Sequence, residues 1–168
     1  MTLCIALCII FPDDKYPATP ETEEKNMSEK KKYAVIDYVA EQPQDKNNDV
    51  LKRSAWLDYT VVPGAPYFEA VWTMKDIPVG PPEHVHDFDE YLGFMSGDPS
   101  TDELGCTVKF CIDGDELTFT KNFILFIPAG VKHSPFSVTG VTRPVLNYSG
   151  GPAVEYLRKY EDGTYKNH

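Results

Sequence analysis

Two stretches of the sequence decide how the chain folds: GPPEHVHDFDEYLGFMSG at residues 80–97 and FILFIPAGVKHSPFS at residues 123–137. Each combines short apolar runs with turn residues, a pattern typical of short β-strands joined by tight loops. Three of the four histidines of the chain fall within these two stretches, and the fourth is the last residue. Histidines gathered beside apolar strands indicate a site inside a β-structure.

The spacing of four side chains predicts one metal site, formed by His84, His86, Glu90 and His133. Residues two apart in a strand project from the same face, so His84 and His86 can present two imidazole nitrogens to one ion. Glu90 follows after a short turn, and the turn at residues 128–130 can return His133 to the same interior. Burial of three imidazoles and a carboxylate without a partner would be strongly unfavourable. A bound cation would be that partner. We therefore expect one divalent ion with N3O ligation.

The chain from residue 33 onward predicts an all-β domain. Short apolar stretches alternate with turn signals, and helical periodicity first occurs at residues 153–160, where AVEYLRKY predicts a short C-terminal helix before a polar tail. Asp113-Gly114 is the strongest hairpin signal. So many closely spaced strands imply a barrel or jelly roll. The candidate strands are YAVIDYV, YFEAVWTMK, EHVH, EYLGFMS, CTVKFCI, ELTFT, NFILFIP, PFSVTG and PVLNYSG.

The first 26 residues differ in composition from the rest. Residues 2–11, TLCIALCIIF, are an unbroken apolar run, but a run this short does not reach across a bilayer. The run is either an extra strand, laid on the barrel or on a partner subunit, or translated sequence ahead of a start at Met27. Residues 13–26 have linker composition. We expect residues 1–26 to be an extension or linker and residues 27–168 to form one domain, with its core barrel at about residues 50–152.

Charge and cysteine content limit the partners and the compartment. The net charge of -10 and the pI near 4.8 repel phosphate backbones and anionic lipids, so we expect neither nucleic acid nor a membrane as a partner. Cys106 and Cys111 are separated by an odd number of residues in one predicted strand, which favours free thiols and a cytoplasmic location. We expect a homodimer that binds a small molecule.

The two stretches resemble the two signature motifs of the cupin superfamily, and the resemblance covers roughly residues 50–152. It implies a double-stranded β-helix, which is a small jelly-roll barrel, and it implies the same ligand set as the spacing. The chain is also similar to small single-domain cupins. The sequence departs from the motifs at three places that hold no ligand, namely the short Gly80–His84 spacing, Asn122 and Ser137.

Cupins include dioxygenases, decarboxylases, isomerases, lyases, epimerases and non-catalytic binders, so the resemblance leaves the activity open. Our first hypothesis is an Fe(II)-dependent oxygenase with Glu90 as the catalytic carboxylate, and Mn, Ni and Zn are alternative ions. The rival hypotheses are a non-catalytic metal-bearing binding module and an isomerase, decarboxylase or lyase on the same barrel. The candidate substrate residues are Phe94, which shares a face with Glu90, Tyr148 near the barrel mouth, and Arg143, whose guanidinium can hold a carboxylate.

Overall fold

The described part of the chain, residues 34–36 and 48–166 of this computed structural model, is built from strands and loops and contains no helix. It falls within one unit, Ala34–His168. The strands are β1 (Leu51–Leu57), β2 (Phe68–Thr73), β3 (Glu90–Ser96), β4 (Glu103–Ile112), β5 (Asp115–Lys121), β6 (Phe123–Ile127), β7 (His133–Thr139), β8 (Val145–Gly150), β9 (Arg158–Lys159) and β10 (Tyr165–Lys166). The all-β prediction is confirmed. Among these residues nothing forms a helix long and apolar enough to cross a membrane.

Two antiparallel sheets enclose the interior. One has five strands in the order β1-β2-β8-β3-β6, and the other has three in the order β5-β4-β7. Strands distant in sequence are therefore neighbours, as in a jelly roll. The core lies between the sheets, where Phe94 and Val145 of the first sheet pack with Leu104, Val108 and Val138 of the second, all at 0% exposure.

Alternation along β3 positions the candidate carboxylate. Glu90, Leu92 and Phe94 are buried, whereas Tyr91 and Met95 on the other face are 39% and 46% exposed. Because successive side chains of a strand point to opposite faces, the three buried residues share the barrel interior. The predicted face shared by Glu90 and Phe94 is confirmed.

The hairpin predicted at Asp113-Gly114 is also present. It joins β4 to β5, and Ile112 pairs with Asp115 across it. Asp113 and Gly114 have φ values of 49° and 88°, the left-handed conformation at both central positions that a two-residue type I′ turn requires.

The predicted C-terminal helix is wrong. Arg158–Lys159 form β9, which pairs with β10, and Lys159 also forms an isolated bridge with Val85. The Leu157 carbonyl accepts a hydrogen bond from the His86 ring. Bonding to neighbouring segments satisfies the backbone here, so tertiary contacts override the helical preference of AVEYLRKY.

Two further strand predictions differ from the structure. EHVH contributes only isolated bridges, His84 to His133 and Val85 to Lys159, and is not a continuous strand. Conversely, the structure contains β1, which the sequence did not predict. Its residues, LKRSAWL, lack a clear alternation of apolar and polar side chains. YAVIDYV lies largely outside the described residues, as do the predicted extension at residues 1–26 and the start at Met27.

Candidate metal centre

Four buried side chains meet at one end of the barrel interior. His84 and His86 are 3% exposed, and Glu90 and His133 are 2% exposed. One ring nitrogen from each histidine lies within 4.8 Å of the others. Glu90 Oε2 lies 3.3 Å from His133 Nε2 and 3.6 Å from His86 Nε2. The structure thus brings together all four predicted ligands.

The two motif stretches are held together by their backbones. His84 and His133 exchange two hydrogen bonds, each with an N···O distance of 3.0 Å. Gly130 donates its N–H to the His86 carbonyl at 2.8 Å, in a turn where its φ of 81° favours glycine. Asp89 Oδ1 accepts from the Ala129 N–H at 2.9 Å. The second motif is therefore fixed against the first before any ion is considered.

Backbone carbonyls set the orientation of each imidazole. The Nδ1 atoms of the three rings lie near the carbonyl oxygens of Pro82, Leu157 and Val131, at 2.7, 2.6 and 3.0 Å. A carbonyl only accepts, so each Nδ1 carries the hydrogen and each Nε2 keeps its lone pair. The three Nε2 atoms are buried and have no hydrogen-bond partner among residues 34–36 and 48–166. This is how proteins orient metal-binding histidines.

Burial keeps the rings of His84 and His86 neutral. It is the largest cause that lowers the pKa of His84 to about 3, and the nearby charge of Arg158 acts in the same direction. Burial also lowers the pKa of His86. The three Nε2 atoms and Glu90 Oε2, which has no hydrogen-bond partner among the described residues, therefore face one another. Such a set of buried acceptors is stable around a cation, so the residues fit a divalent metal ion.

A cavity of about 300 Å³ extends from these ligands into the barrel. Polar side chains line the part near the ligands, and they include Tyr67, Glu69, Ser149, Tyr156 and Arg158. Apolar side chains line the rest, and they include Val71, Leu92, Phe94, Phe110 and Phe136. The cavity is thus polar at the candidate metal and apolar beyond it, which suits a small organic ligand. Phe94, a predicted substrate residue, is part of its wall.

The other two predicted substrate residues lie outside the cavity wall. In β8 the neighbours Asn147 and Ser149 face the cavity, so alternation directs Tyr148 to the opposite face. The Arg143 guanidinium donates to the carbonyl of Glu103 at 2.9 Å and lies 3.6 Å from Asp98 Oδ2. Neither side chain lines the cavity beside the candidate metal, and a substrate role for Tyr148 or Arg143 stays a prediction.

Sequence reasoning missed the polar wall of the cavity. Tyr156 and Arg158 were assigned to a helix, although their separation by one residue would have placed them on one face of an extended segment. Tyr67 and Glu69 have the same spacing at the start of β2 and both line the cavity. The signal was hidden at residues 156–158 by the helix assignment, whereas at Tyr67 and Glu69 the predicted strand YFEAVWTMK already contained it.

Solved structures similar to the chain are cupins and cupin enzymes of low identity. An RmlC-like cupin from Shewanella frigidimarina is 19% identical, with a TM-score of 0.41 over 64% of this chain and 80% of that chain. KdgF from Halomonas sp. is 14% identical, with a TM-score of 0.38 over 60% of this chain and 76% of that chain. Oxalate oxidase in complex with the substrate analogue glycolate is 12% identical, with a TM-score of 0.47 over 79% of this chain and 62% of that chain.

These likenesses concern the fold and carry no activity to this chain. No protein-family model matches the sequence, and no curated protein matches it either. The sheet order and the positions of the motifs on the strands agree with the cupin-type jelly roll that the sequence predicted.

Proposed function

We propose that this cupin-type barrel is a metal-dependent enzyme that acts on a small organic molecule, with oxygenase chemistry at an Fe(II) ion. The observation that carries the proposal is the meeting of four buried acceptor atoms, three Nε2 and Glu90 Oε2, which have no partner among the described residues. Three neutral imidazoles with one carboxylate form a ligand set that Fe(II) accepts, as Mn, Ni and Zn also do.

A bound Fe(II) would supply Lewis acidity and redox chemistry at the coordination positions that the protein atoms leave open. Glu90 is the one carboxylate among the four ligands, so it offsets one of the two positive charges. The carbonyl partners of the Nδ1 atoms orient the imidazoles so that each Nε2 faces the ion. These residues bind and orient the ion, and Glu90 sets the net charge that a substrate meets.

The cavity wall supports chemistry on an organic substrate. Leu92, Phe94 and Phe110 are at most 7% exposed and exclude water from the side facing the ligands. Tyr67 donates or accepts at Ser149 Oγ over 2.7 Å. Burial, and then the nearby Glu69 carboxylate, raise the pKa of Tyr67 well above its usual value, so its hydroxyl keeps its proton at neutral pH. The protonated hydroxyl can therefore donate a hydrogen bond in the polar part of the cavity, as it does to Glu69 Oε2 at 3.4 Å.

Oxygen uptake tests this proposal. The protein is stripped of metal, reloaded separately with Fe(II), Mn(II) and Zn(II), and mixed with a panel of small acids and phenols. The proposal predicts that one substrate is consumed together with O₂ in the Fe(II) protein and not in the Zn(II) protein. Turnover without O₂ consumption would instead establish a lyase, decarboxylase or isomerase. Ligand binding without turnover for every metal would establish a binding module.

A further inference from the structure

We propose that Arg158 anchors the carboxylate of the substrate, and that the substrate is a small monocarboxylic acid with an apolar body. This deepens the proposed function, because the acid would be held beside the candidate metal. Arg158 was not among the residues that the sequence analysis singled out, and Arg143, which was, lies outside the cavity.

Arg158 reaches the cavity through a segment that is fixed against the first motif. The neighbouring Lys159 exchanges backbone hydrogen bonds with Val85 at 3.0 and 2.9 Å. Arg158 lines the cavity together with His84 and Tyr156. Its Nε donates to the Tyr156 hydroxyl at 3.3 Å, and its Cζ lies 5.0 Å from the centre of that ring. These contacts hold the guanidinium stem and leave its two terminal nitrogens for a ligand.

A comparison with Arg53 shows what Arg158 lacks. Arg53 is buried, and its guanidinium binds Glu69 Oε1 with two donors, Nε at 2.9 Å and NH2 at 2.8 Å. No carboxylate lies within ion-pair distance of Arg158 among residues 34–36 and 48–166. A guanidinium in a cavity wall matches a carboxylate with two parallel hydrogen bonds. The protein supplies that carboxylate to Arg53, and we infer that a ligand supplies it to Arg158.

The register of β2, β3 and β8 indicates the chemistry of the part of the ligand beyond its carboxylate. Ser149 lies opposite Glu69 on one side and Leu92 on the other, in the layer next to the ligands. One layer deeper, Asn147 lies opposite Val71 and Phe94. Two of the three residues are thus polar in the layer next to the ligands, and two of the three are apolar in the deeper layer. An acid held at Arg158 would place an aliphatic or aromatic body against the apolar wall.

Charge at the polar end of the cavity favours an anion. Glu69 and Glu90 both line the cavity, so its polar part already contains two carboxylates. Arg53 offsets Glu69, and Glu90 offsets one of the two positive charges of the ion. The second charge of the ion and the charge of Arg158 remain, and both attract an anion. The two oxygens of a carboxylate match the planar two-donor geometry of the guanidinium.

Calorimetry with matched neutral and anionic probes tests this assignment. Acetate, isovalerate and phenylacetate are titrated into the Zn(II)-loaded protein and the metal-free protein, each beside its neutral amide. We expect at least one acid to bind about tenfold or more tightly than its amide, and Arg158→Gln to remove that preference. Arg158→Lys should retain part of it, because the charge stays and the two-donor geometry is lost. Arg143→Gln, the same change outside the cavity, should bind like wild type.

The outcomes separate this inference from the proposed function. The assignment to Arg158 is overturned if no acid binds better than its amide, if a folded Arg158→Gln protein keeps the preference, or if Arg143→Gln loses it. Tighter binding of isopentyl phosphate than of isovalerate would overturn the carboxylate specificity. A protein that takes up no metal but binds acids through Arg158 would refute the metal enzyme and keep the anchor. Melting curves of each variant establish that it is folded.

Discussion

The two ends of the cavity differ in how their buried side chains are stabilised. At the apolar end, Phe94 and Phe110 are 0% and 1% exposed and pack against Phe136 with ring centres 5.9 Å away in each case. At the polar end, Glu90 and His133 are equally buried, yet their inward atoms lack hydrogen-bond partners within the described part of the chain. Packing alone stabilises the first end, whereas the proposed cation would stabilise the second. Burial of an apolar side chain therefore indicates stability, and burial of these acceptor atoms is the basis of the proposed function.

Removing a ligand should have the largest effect. His133→Ala deletes one of three nitrogen donors, so we expect the affinity for Zn(II) to fall by about a hundredfold or more, since even weaker perturbations around a metal cost 10–100-fold. Competition with a chromophoric chelator measures this affinity. His168→Ala, at the fourth histidine of the chain, is the matched control and should retain wild-type affinity. Full affinity in His133→Ala would refute the ligand assignment.

Truncation at the apolar end should have the converse effect. Phe94→Ala should lower the free energy of unfolding by about 3–5 kcal/mol, through lost burial and a new cavity, while the folded protein still binds one metal. Urea unfolding measures the loss, and metal content is determined on the folded fraction. Phe94→Leu removes less volume and serves as the milder variant if Phe94→Ala does not fold. Loss of metal in a folded Phe94→Leu protein would contradict the separation of the two ends.

A substitution at Glu90 tests whether the carboxylate takes part in catalysis or only helps to bind the ion. Glu90→Gln keeps the size of the side chain and removes its charge. We expect most of the metal to stay bound while turnover falls by at least about tenfold, once a substrate has been found. Steady-state kinetics on metal-loaded protein measure this. Unchanged turnover would show that the carboxylate neither tunes the ion nor moves protons.

The stability of the metal-free protein should depend on pH through His84. Its pKa is about 3 in the folded protein and 6.5 without the fold, so the unfolded chain binds more protons between these values. The contribution of His84 to the free energy of unfolding is therefore fully present above pH 6.5 and decreases as the pH falls toward 3. Urea unfolding across this range should show a shallower dependence in His84→Gln than in wild type. Identical pH profiles would contradict the burial of a neutral His84.

Deletion of residues 1–26 should have the smallest effect. All four ligands and the strands that carry them lie downstream, within residues 51–166. We therefore expect the shortened chain to bind metal with unchanged stoichiometry. Aggregation or loss of metal in the shortened chain alone would show that the apolar run at residues 2–11 is part of the fold.

Local sequence patterns predicted which side chains meet in the candidate metal centre. The spacing of His84, His86 and Glu90 and the turn before His133 depend on strand alternation and turn chemistry, which a sequence displays directly. The Asp113-Gly114 hairpin also depends only on neighbouring residues of the chain. These features were predicted because each depends on residues close together in the chain.

The features that were missed depend on distant partners. β1 contains buried Arg53, which pairs with Glu69 in the neighbouring strand. Residues 156–159 are extended because Val85 and the His86 ring bond to them. Without those partners, AVEYLRKY has the composition of a helix. The polar wall of the cavity was overlooked for the same reason, and with it the position of Arg158.

The metal content of the native protein tests the central claim most directly. Protein purified without added metal and without chelators is analysed for its elements, and the metal-free form is then titrated with Fe(II) and Zn(II). The account predicts close to one divalent ion per chain, in the purified protein or at the end point of the titration. A folded wild-type protein that carries no metal and takes up none would contradict it.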